Sequence, residues 1–415
     1  MRPMRHLYLD PSKRIPLLRD QKDPGDAPGA LQAKKTHTTP SSLSASTSTP
    51  ASSSALTGAK AKEEDASVYF IGNATTVIEW RGLRILTDPN FLHAGDHVHL
   101  GPGVTAQRLK NPAVDLHELP PVDLVLLSHY HEDHFDRLVE EKLHRDFPVV
   151  TTPHAKGCLT DAARYIGAGG KGGEGGGPFR AVYDIDTFES IMLHLNGPKQ
   201  AIADGNGKTP MIKITAMPGE HVPPGPLAAA NNLLGAIPPT NGWLLEMAWS
   251  PSKLDSRPDT SGNDVATTET DPQIIEPGYR IYISGDTLFV DELKEIPKFI
   301  REQQQQLAQQ HQQSPRDGAA GVGIDLMIIH LGGTTIPGPH MPLLMVTMDA
   351  RQGVALMGLL NPRLTIPVHF DDYSVMLSPL QDFKAEVANM GEAWRDRVVY
   401  LERGEQFRFL VRGSD

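Results

Sequence analysis

The stretch Leu127-Ser128-His129-Tyr130-His131-Glu132-Asp133-His134-Phe135-Asp136 decides the fold of this chain. It follows the apolar segment 123–127 and precedes a charged amphipathic segment at 137–146, which indicates a strand, a loop and a helix. A regular helix or strand could not aim three histidines and one aspartate from six successive residues at one point, whereas a loop leaving a strand end can. Imidazoles and carboxylates at this density are typical of a metal site, and a chance run of solvated polar residues is the alternative.

Strand-like and helix-like segments alternate on both sides of this stretch. The strand patterns lie at 68–71, 75–80, 83–87, 123–127, 211–217, 243–247, 280–284, 326–329 and 363–368. The helix patterns lie at 137–146, 155–166, 291–300, 348–360 and 380–390. This alternation predicts a layered α/β domain.

Composition divides the chain into a tail and a domain. Residues 1–65 are predicted to form a disordered tail rich in Ser, Thr and Pro, because 36–60 holds 14 Ser and Thr in 25 residues and almost no large apolar group. Residues 66–415 are predicted to form the domain. Low-complexity stretches near 167–177, 251–271 and 303–320 are expected to be surface loop insertions, because long loops add little closure entropy.

Charge and residue usage exclude several classes of protein. The chain has 39 Lys and Arg against 50 Asp and Glu, and its net charge of −11 argues against a nucleic-acid partner. No apolar run approaches the ~20 residues that a membrane helix needs. The single cysteine, Cys158, excludes an intramolecular disulfide and a cysteine-based zinc knuckle. We expect a cytoplasmic protein acting on a small molecule, with a mitochondrial location as the alternative; nothing indicates an oligomeric state.

The stretch 127–136 resembles the H-x-H-x-D-H signature of the metallo-β-lactamase superfamily, and the resemblance extends over about 68–410. Three later motifs, each after a predicted strand, resemble the further ligands of the family in the same order: Pro218-Gly219-Glu220-His221, Ser284-Gly285-Asp286-Thr287 and Pro367-Val368-His369-Phe370. Asp88 in Leu86-Thr87-Asp88-Pro89 resembles the early aspartate that orients ligands from behind. The resemblance implies an α/β fold of the αββα type, in which two mixed sheets pack face to face, helices cover the outer faces and metal binds at one rim.

The resemblance also implies two metal ions. His129, His131 and His221 would hold one ion. Asp133, His134 and His369 would hold the other, with Asp286 bridging the two. Zn²⁺ is the first expectation for this nitrogen-rich set, and Mn²⁺ and Fe²⁺ stay open. A water bridging two dications has a pKa near ~7, so it supplies hydroxide at neutral pH. Asp133 and Asp286 are the predicted catalytic residues.

The implied activity is that of a binuclear metal-dependent hydrolase. The chain resembles the broad group that includes ascorbate-lactone hydrolases and N-acyl-phosphatidylethanolamine phospholipases D. Oxygen-reducing di-iron members carry glutamate where this chain has His131, which favours hydrolysis. We expect the opening of a small cyclic amide or ester, a lactam or lactone, because no Lys/Arg cluster around the motifs could bind phosphate. A phosphodiesterase or phospholipase D-like hydrolase is the alternative, and a non-catalytic metal-binding protein is the second.

Three further histidines are candidate site residues. His97 and His99 lie in the segment after Asp88, where they are candidate substrate contacts; a solvated loop is the equal alternative. His330 begins the run His330-Leu331-Gly332-Gly333 after a predicted strand. There the glycines would expose backbone N–H groups to the cleft, or would only form a turn.

Overall fold

A computed structural model describes most of the chain. The described residues are 3–23, 27, 29–40, 64–101, 103–165, 177–195, 208–235, 237–250, 275–310, 323–338 and 340–413.

The strands follow the predicted segments closely and add several short ones. They are β1 (Arg5–Leu9), β2 (Lys35–His37), β3 (Ala66–Gly72), β4 (Thr75–Trp80), β5 (Leu83–Thr87), β6 (His97–His99), β7 (Thr105–Gln107), β8 (Leu124–Leu126), β9 (Val149–Thr151), β10 (Val182–Asp184), β11 (Ser190–Leu195), β12 (Pro210–Met217), β13 (Gly242–Trp249), β14 (Pro277–Ile283), β15 (Leu326–His330), β16 (Gly332–Gly338), β17 (Met341–Met345), β18 (Leu364–Val368), β19 (Met376–Ser378) and β20 (Glu405–Phe409).

The strands form two large mixed sheets. One has seven strands in the order β1-β11-β12-β13-β14-β15-β18, and the other has eight in the order β10-β9-β8-β5-β4-β3-β20-β2. In the first sheet β14, β15 and β18 are parallel neighbours, whereas β11 to β14 pair antiparallel. Two small sheets, β17-β16-β19 and the β6-β7 hairpin, complete the strand pairing of the described residues.

The helices cover the outer faces of the sheets. They are α1 (Arg137–Lys142), α2 (Pro153–Thr160), α3 (Ala162–Tyr165), α4 (Pro226–Leu234), α5 (Glu295–Gln310), α6 (Ala350–Leu360), α7 (Leu380–Asn389) and α8 (Glu392–Arg395), with 3₁₀ turns at Leu116–Glu118 and Asp291–Lys294. Within the described residues, no helix combines the length and apolarity needed to cross a bilayer.

Alternation along the strands separates the core into layers. Val68 and Phe70 of β3 point into a central core that they share with strands of the other sheet, while Tyr69 and Ile71 pack outward in a cluster with Val139 of α1. Successive strand residues face opposite sides of a sheet, so one strand contributes to two cores. In the seven-stranded sheet, too, one face lines the central core and the other packs against α5 and α6. The predicted αββα sandwich is confirmed.

The prediction of a tail over 1–65 is wrong at two places. β1 pairs in parallel with β11 at the edge of the seven-stranded sheet, and β2 pairs in parallel with β20. Leu7 and Leu9 alternate along β1 and are buried in the central core. This short apolar alternation precedes the Ser/Thr-rich segment, whose composition dominated the prediction; residues 41–63 lie outside the described part.

Two predicted boundaries also differ. The helix expected over 137–146 ends at Lys142, because Leu143 adopts an extended backbone and caps it. The insertion expected near 303–320 begins too early, because α5 continues to Gln310. The predicted insertion segments 167–176, 251–271 and 311–320 lie outside the described residues.

Candidate metal centre

The ends of parallel strands place the candidate ligands on one rim. β14, β15 and β18 lie side by side, and Asp286, His330 and His369 stand at or just after their carboxyl ends. The carboxyl ends of parallel strands meet at the same edge of a sheet, which is where α/β proteins place their sites. From the other sheet, β8 leads into the motif loop that ends at Asp136. The Asp136 side chain accepts a hydrogen bond from the N–H of Val139 and so starts α1.

Among the described residues, three groups of side chains lie within ligand distance of one another, and one of them is Asp88, His134 and His330. Asp133, His134, Asp286 and His369 are all buried and offer one donor atom each within 4.8 Å of one another. His129, His131 and Asp133 also lie this close together, and with His221 they are called the first group. The four buried residues Asp133, His134, Asp286 and His369 are called the second group. Asp133 belongs to both, so the two groups adjoin. The His221 ring makes an edge contact with His129, with centroids 4.6 Å apart, which brings His221 to the same place.

The hydrogen bonds of the histidine rings leave their Nε2 atoms for a metal. The Nδ1 atom of His221 lies 2.9 Å from the carbonyl of Val346, and that of His369 lies 2.9 Å from the carbonyl of Leu331. Because a carbonyl only accepts, Nδ1 carries the proton in each ring and Nε2 carries the lone pair. The Nε2 atoms of both rings, and that of His129, are buried without a hydrogen bond. Buried lone pairs of this kind fit a divalent cation.

The pKa values of the histidines differ between the two groups. Burial, aided by nearby His134 and His221, lowers the pKa of His129 well below its ordinary value, and burial lowers the pKa of His221 to about 4. These rings are therefore neutral. Burial opposes protonation of His134 as well, but the carboxylates of Asp286 and Asp133 outweigh it and hold its pKa well above the ordinary value. Asp133 and Asp286 thus stay ionised, and without metal a proton on His134 offsets part of their charge. A dication would take the place of that proton.

Asp88 and Ser128 lie behind the ligands. The Ser128 N–H donates to Asp88 Oδ1 at 2.7 Å, and Asp88 Oδ2 is 3.4 Å from Nδ1 of His134. The Ser128 hydroxyl is 2.9 Å from Nδ1 of His129. Asp88, which the resemblance marked, contacts both the motif loop and the His134 ring. The contact of Ser128 with His129 was not predicted from the sequence, although Ser128 stands inside the motif.

Two backbone positions of the rim depend on left-handed conformations. His369 has φ +58°, an unusual value for a residue with a side chain, and it turns the ring inward directly after β18. Gly285 has φ +61°, and a Cβ there would lie 2.4 Å from the carbonyl oxygen of Asn241. Only glycine fits at this point, which fixes the turn that presents Asp286.

The other candidate histidines differ in burial and in distance from the ligands. His97 and His99 lie on the exposed β6–β7 hairpin, and His99 reaches the motif through its backbone N–H, which donates to Glu132 at 2.7 Å. The His330 side chain is buried and its Nδ1 atom is 3.0 Å from Asp286 Oδ1. The sequence marked His330 as a candidate for contact with substrate or with a ligand, without identifying Asp286 as its partner. Thr347, which donates to Asp286 Oδ2 at 3.1 Å, was missed because no motif surrounds it.

Comparison with known proteins agrees with this geometry. A family model described as a β-lactamase superfamily domain matches residues 67–207. An uncharacterized protein of Mycobacterium tuberculosis is 42% identical over 69 residues, which cover 17% of this chain and 18% of that protein. The mitochondrial N-acyl-phosphatidylethanolamine-hydrolyzing phospholipase D of Saccharomyces cerevisiae is 37% identical over 67 residues, 16% of this chain and 14% of that protein. The chain thus matches less than a fifth of the length of these curated relatives.

The fold has a similar solved structure. The isothiocyanate hydrolase from Delia radicum gut bacteria superposes with a TM-score of 0.51 at 16% identity, covering 83% of this chain and 100% of that one. Residues 67–207 thus match a β-lactamase superfamily domain, and the fold of the described residues is similar to that of this hydrolase.

Proposed function

We propose that the chain is a binuclear metal-dependent hydrolase that opens a small cyclic ester or amide, a lactone or lactam. The observation that carries the proposal is the pair of adjoining donor groups that share Asp133. Zn²⁺ suits the imidazole-rich, thiolate-free set best. Two bound ions would polarise the scissile carbonyl and lower the pKa of an attacking water towards ~7.

The chain supplies the positions and the acceptors for that chemistry. His129, His131 and His221 would hold one ion, and His134 and His369 the other, with Asp286 between them. Asp133 Oδ1 is 2.8 Å from His131 Nδ1 and Asp133 Oδ2 is 3.5 Å from His369 Nε2, so this carboxylate faces both groups. A carboxylate at that point can accept the proton of the attacking water. The pKa values of His129 and His221 are lowered, so these two rings are neutral at neutral pH and remain available as ligands.

A carbonyl substrate is favoured over a phosphate diester because the arginines beside the motif loop already pair with a carboxylate. The Arg108 guanidinium is buried, lies 3.2 Å from Asp372 and bonds Asn90, and Arg403 also pairs with Asp372. Both arginines are committed to this carboxylate, so neither offers the bidentate grip on phosphate that such enzymes use. Asp372 in turn accepts from the backbone N–H of Asn73, beside the motif loop.

The second candidate is a phospholipase D-like phosphodiesterase. The local identity with the yeast phospholipase D favours it, although that identity covers only 16% of this chain. The same donor groups would serve either reaction. For the location we propose the cytoplasm, with the mitochondrion as the alternative.

A parallel hydrolysis screen tests the proposal. Zinc-loaded protein is assayed with lactones, lactams and bis-aryl phosphodiesters, alongside His134→Ala and the control His117→Ala, which changes an exposed histidine on the 3₁₀ turn Leu116–Glu118. We expect turnover of a lactone or lactam that His134→Ala abolishes and His117→Ala preserves. Turnover of the phosphodiester alone would select the second candidate. Two tightly bound ions without any turnover would indicate a non-catalytic metal-binding protein.

A further inference from the structure

His330 occupies the middle of the rim. It ends β15, which lies between β14 and β18, the strands that lead to Asp286 and His369. Its side chain is 1% exposed. Its ring lies nearly parallel to that of His134, with centroids 5.8 Å apart, and to that of His369, with centroids 5.7 Å apart. The centroids of His134 and His369 are 5.0 Å apart, so the three rings form a triangle in which the His330 ring lies against both candidate ligands. His330 itself belongs to neither proposed ligand set.

The polar contact of His330 is with one oxygen of Asp286. His330 Nδ1 lies 3.0 Å from Asp286 Oδ1. The carboxylate can only accept, so the Nδ1–H of His330 donates this bond. The other oxygen, Oδ2, faces Nε2 of His134 at 3.2 Å and Nε2 of His369 at 3.4 Å. The hydrogen bond thus fixes which oxygen of Asp286 points towards the donor atoms.

We infer that His330 is a positioning residue that ties Asp286 Oδ1 and so presents Oδ2 alone to the second metal position. Without the Nδ1–H donor, the carboxylate can rotate about χ2 and offer either oxygen, and its buried Oδ1 loses its partner. The inference rests on the proposed binuclear function, because Asp286 matters there as a ligand. In this role His330 acts through Asp286 and does not itself hold an ion.

Three substitutions of His330 distinguish a hydrogen-bond donor at a fixed position from a side chain that only fills space. His330→Asn places an amide N–H near the Nδ1 position, His330→Gln places its amide near the Nε2 position, and His330→Ala has no donor. Cobalt or zinc is titrated into metal-free protein against a chromophoric chelator, which resolves two stepwise dissociation constants without an activity assay. Thermal unfolding of the metal-free variants checks that each one folds.

We expect His330→Ala and His330→Gln to weaken the more weakly held ion by about 10–100-fold, the usual cost of losing such a partner. The other ion should weaken less, because three histidines are also proposed to hold it, and His330→Asn should recover most of the loss. Equal metal affinities of His330→Asn and His330→Gln would overturn the positioning role. So would a His330→Ala variant that binds both ions as tightly as the wild type. If His330→Ala does not fold, the metal affinities of His330→Asn and His330→Gln alone decide whether His330 has the positioning role. Wild-type protein that binds fewer than two ions would overturn the proposed function and this inference with it.

Discussion

His134 Nε2 lies 3.2 Å from Asp286 Oδ2, and both residues are buried. The two side chains come from different sheets: His134 follows β8 of the eight-stranded sheet, and Asp286 follows β14 of the seven-stranded sheet. Their contact therefore spans the interface of the sandwich at its rim. The centre can form only when the two sheets have packed on their common core, so metal binding and folding should be linked.

Asp286→Asn should lower turnover by at least two orders of magnitude. The substitution keeps the volume but removes negative charge between the two proposed ion positions, so ions are held less tightly and repel each other more. Steady-state kinetics at saturating metal, with elemental analysis of the same sample, measures both effects. The matched control is Asp382→Asn, an exposed aspartate in the first turn of α7, which should match the wild type.

Asp133→Asn should also lower the turnover number by orders of magnitude. It removes a carboxylate that both donor groups share and the proposed proton acceptor. The pH profile of the wild type should rise near neutrality, as ionisation of a metal-activated water requires. Wild-type turnover in both Asp133→Asn and Asp286→Asn at saturating metal would leave these residues with no role in the chemistry.

Leu7→Ala should destabilise the protein by about 2–4 kcal/mol, the usual cost of emptying a buried leucine site. Leu7 is 5% exposed and belongs to the central core, so β1 is part of the fold. Urea unfolding measures the change, and Lys13→Ala, at an exposed position just after β1, serves as the control. Equal stability of the two variants would mean that β1 contributes nothing to the sheet.

Acid should destabilise the fold through a buried histidine pair. His6 Nδ1 lies 2.7 Å from His194 Nε2, and burial, together with the neighbouring His6, lowers the pKa of His194 to about 4. Between about pH 6.5 and 4 the unfolded chain therefore binds a proton that the folded chain does not. The free energy of unfolding should fall by up to about 3 kcal/mol as pH falls through this window, and should be flat for this group above pH ~7.

The His194→Leu variant isolates this effect from that of the carboxylates. Urea unfolding at several pH values, taken as the difference between wild type and variant, should show the slope of one missing proton. A difference that does not change with pH would show that His194 is protonated equally in both states.

Motifs and strand alternation predicted the layers of the fold and the position of the motif loop. Val68 and Phe70 alternate with Tyr69 and Ile71, a local pattern that reports directly which side faces each core. β1 was missed because its pairing with β11 is a long-range contact, and the five residues Arg5–Leu9 carry little pattern of their own.

The partners of the ligands were harder to foresee than the ligands themselves. His330 and Thr347 contact the two oxygens of Asp286, but the contact depends on the order β14-β15-β18 and on the loop after β17. A spacing pattern in the sequence does not encode such neighbours. Residues beside the motifs are the exceptions: Asp88 was named from the sequence, and Ser128 immediately precedes His129 and could have been identified as its hydrogen-bond partner.

The number of metal ions per chain tests the proposed two-ion centre most directly. Protein purified without chelators is analysed by elemental mass spectrometry together with a His134→Ala, His369→Ala double variant, which lacks two donors of the second group. We expect close to two divalent transition-metal ions per wild-type chain and close to one in the double variant. A count near zero in well-folded wild-type protein would contradict it.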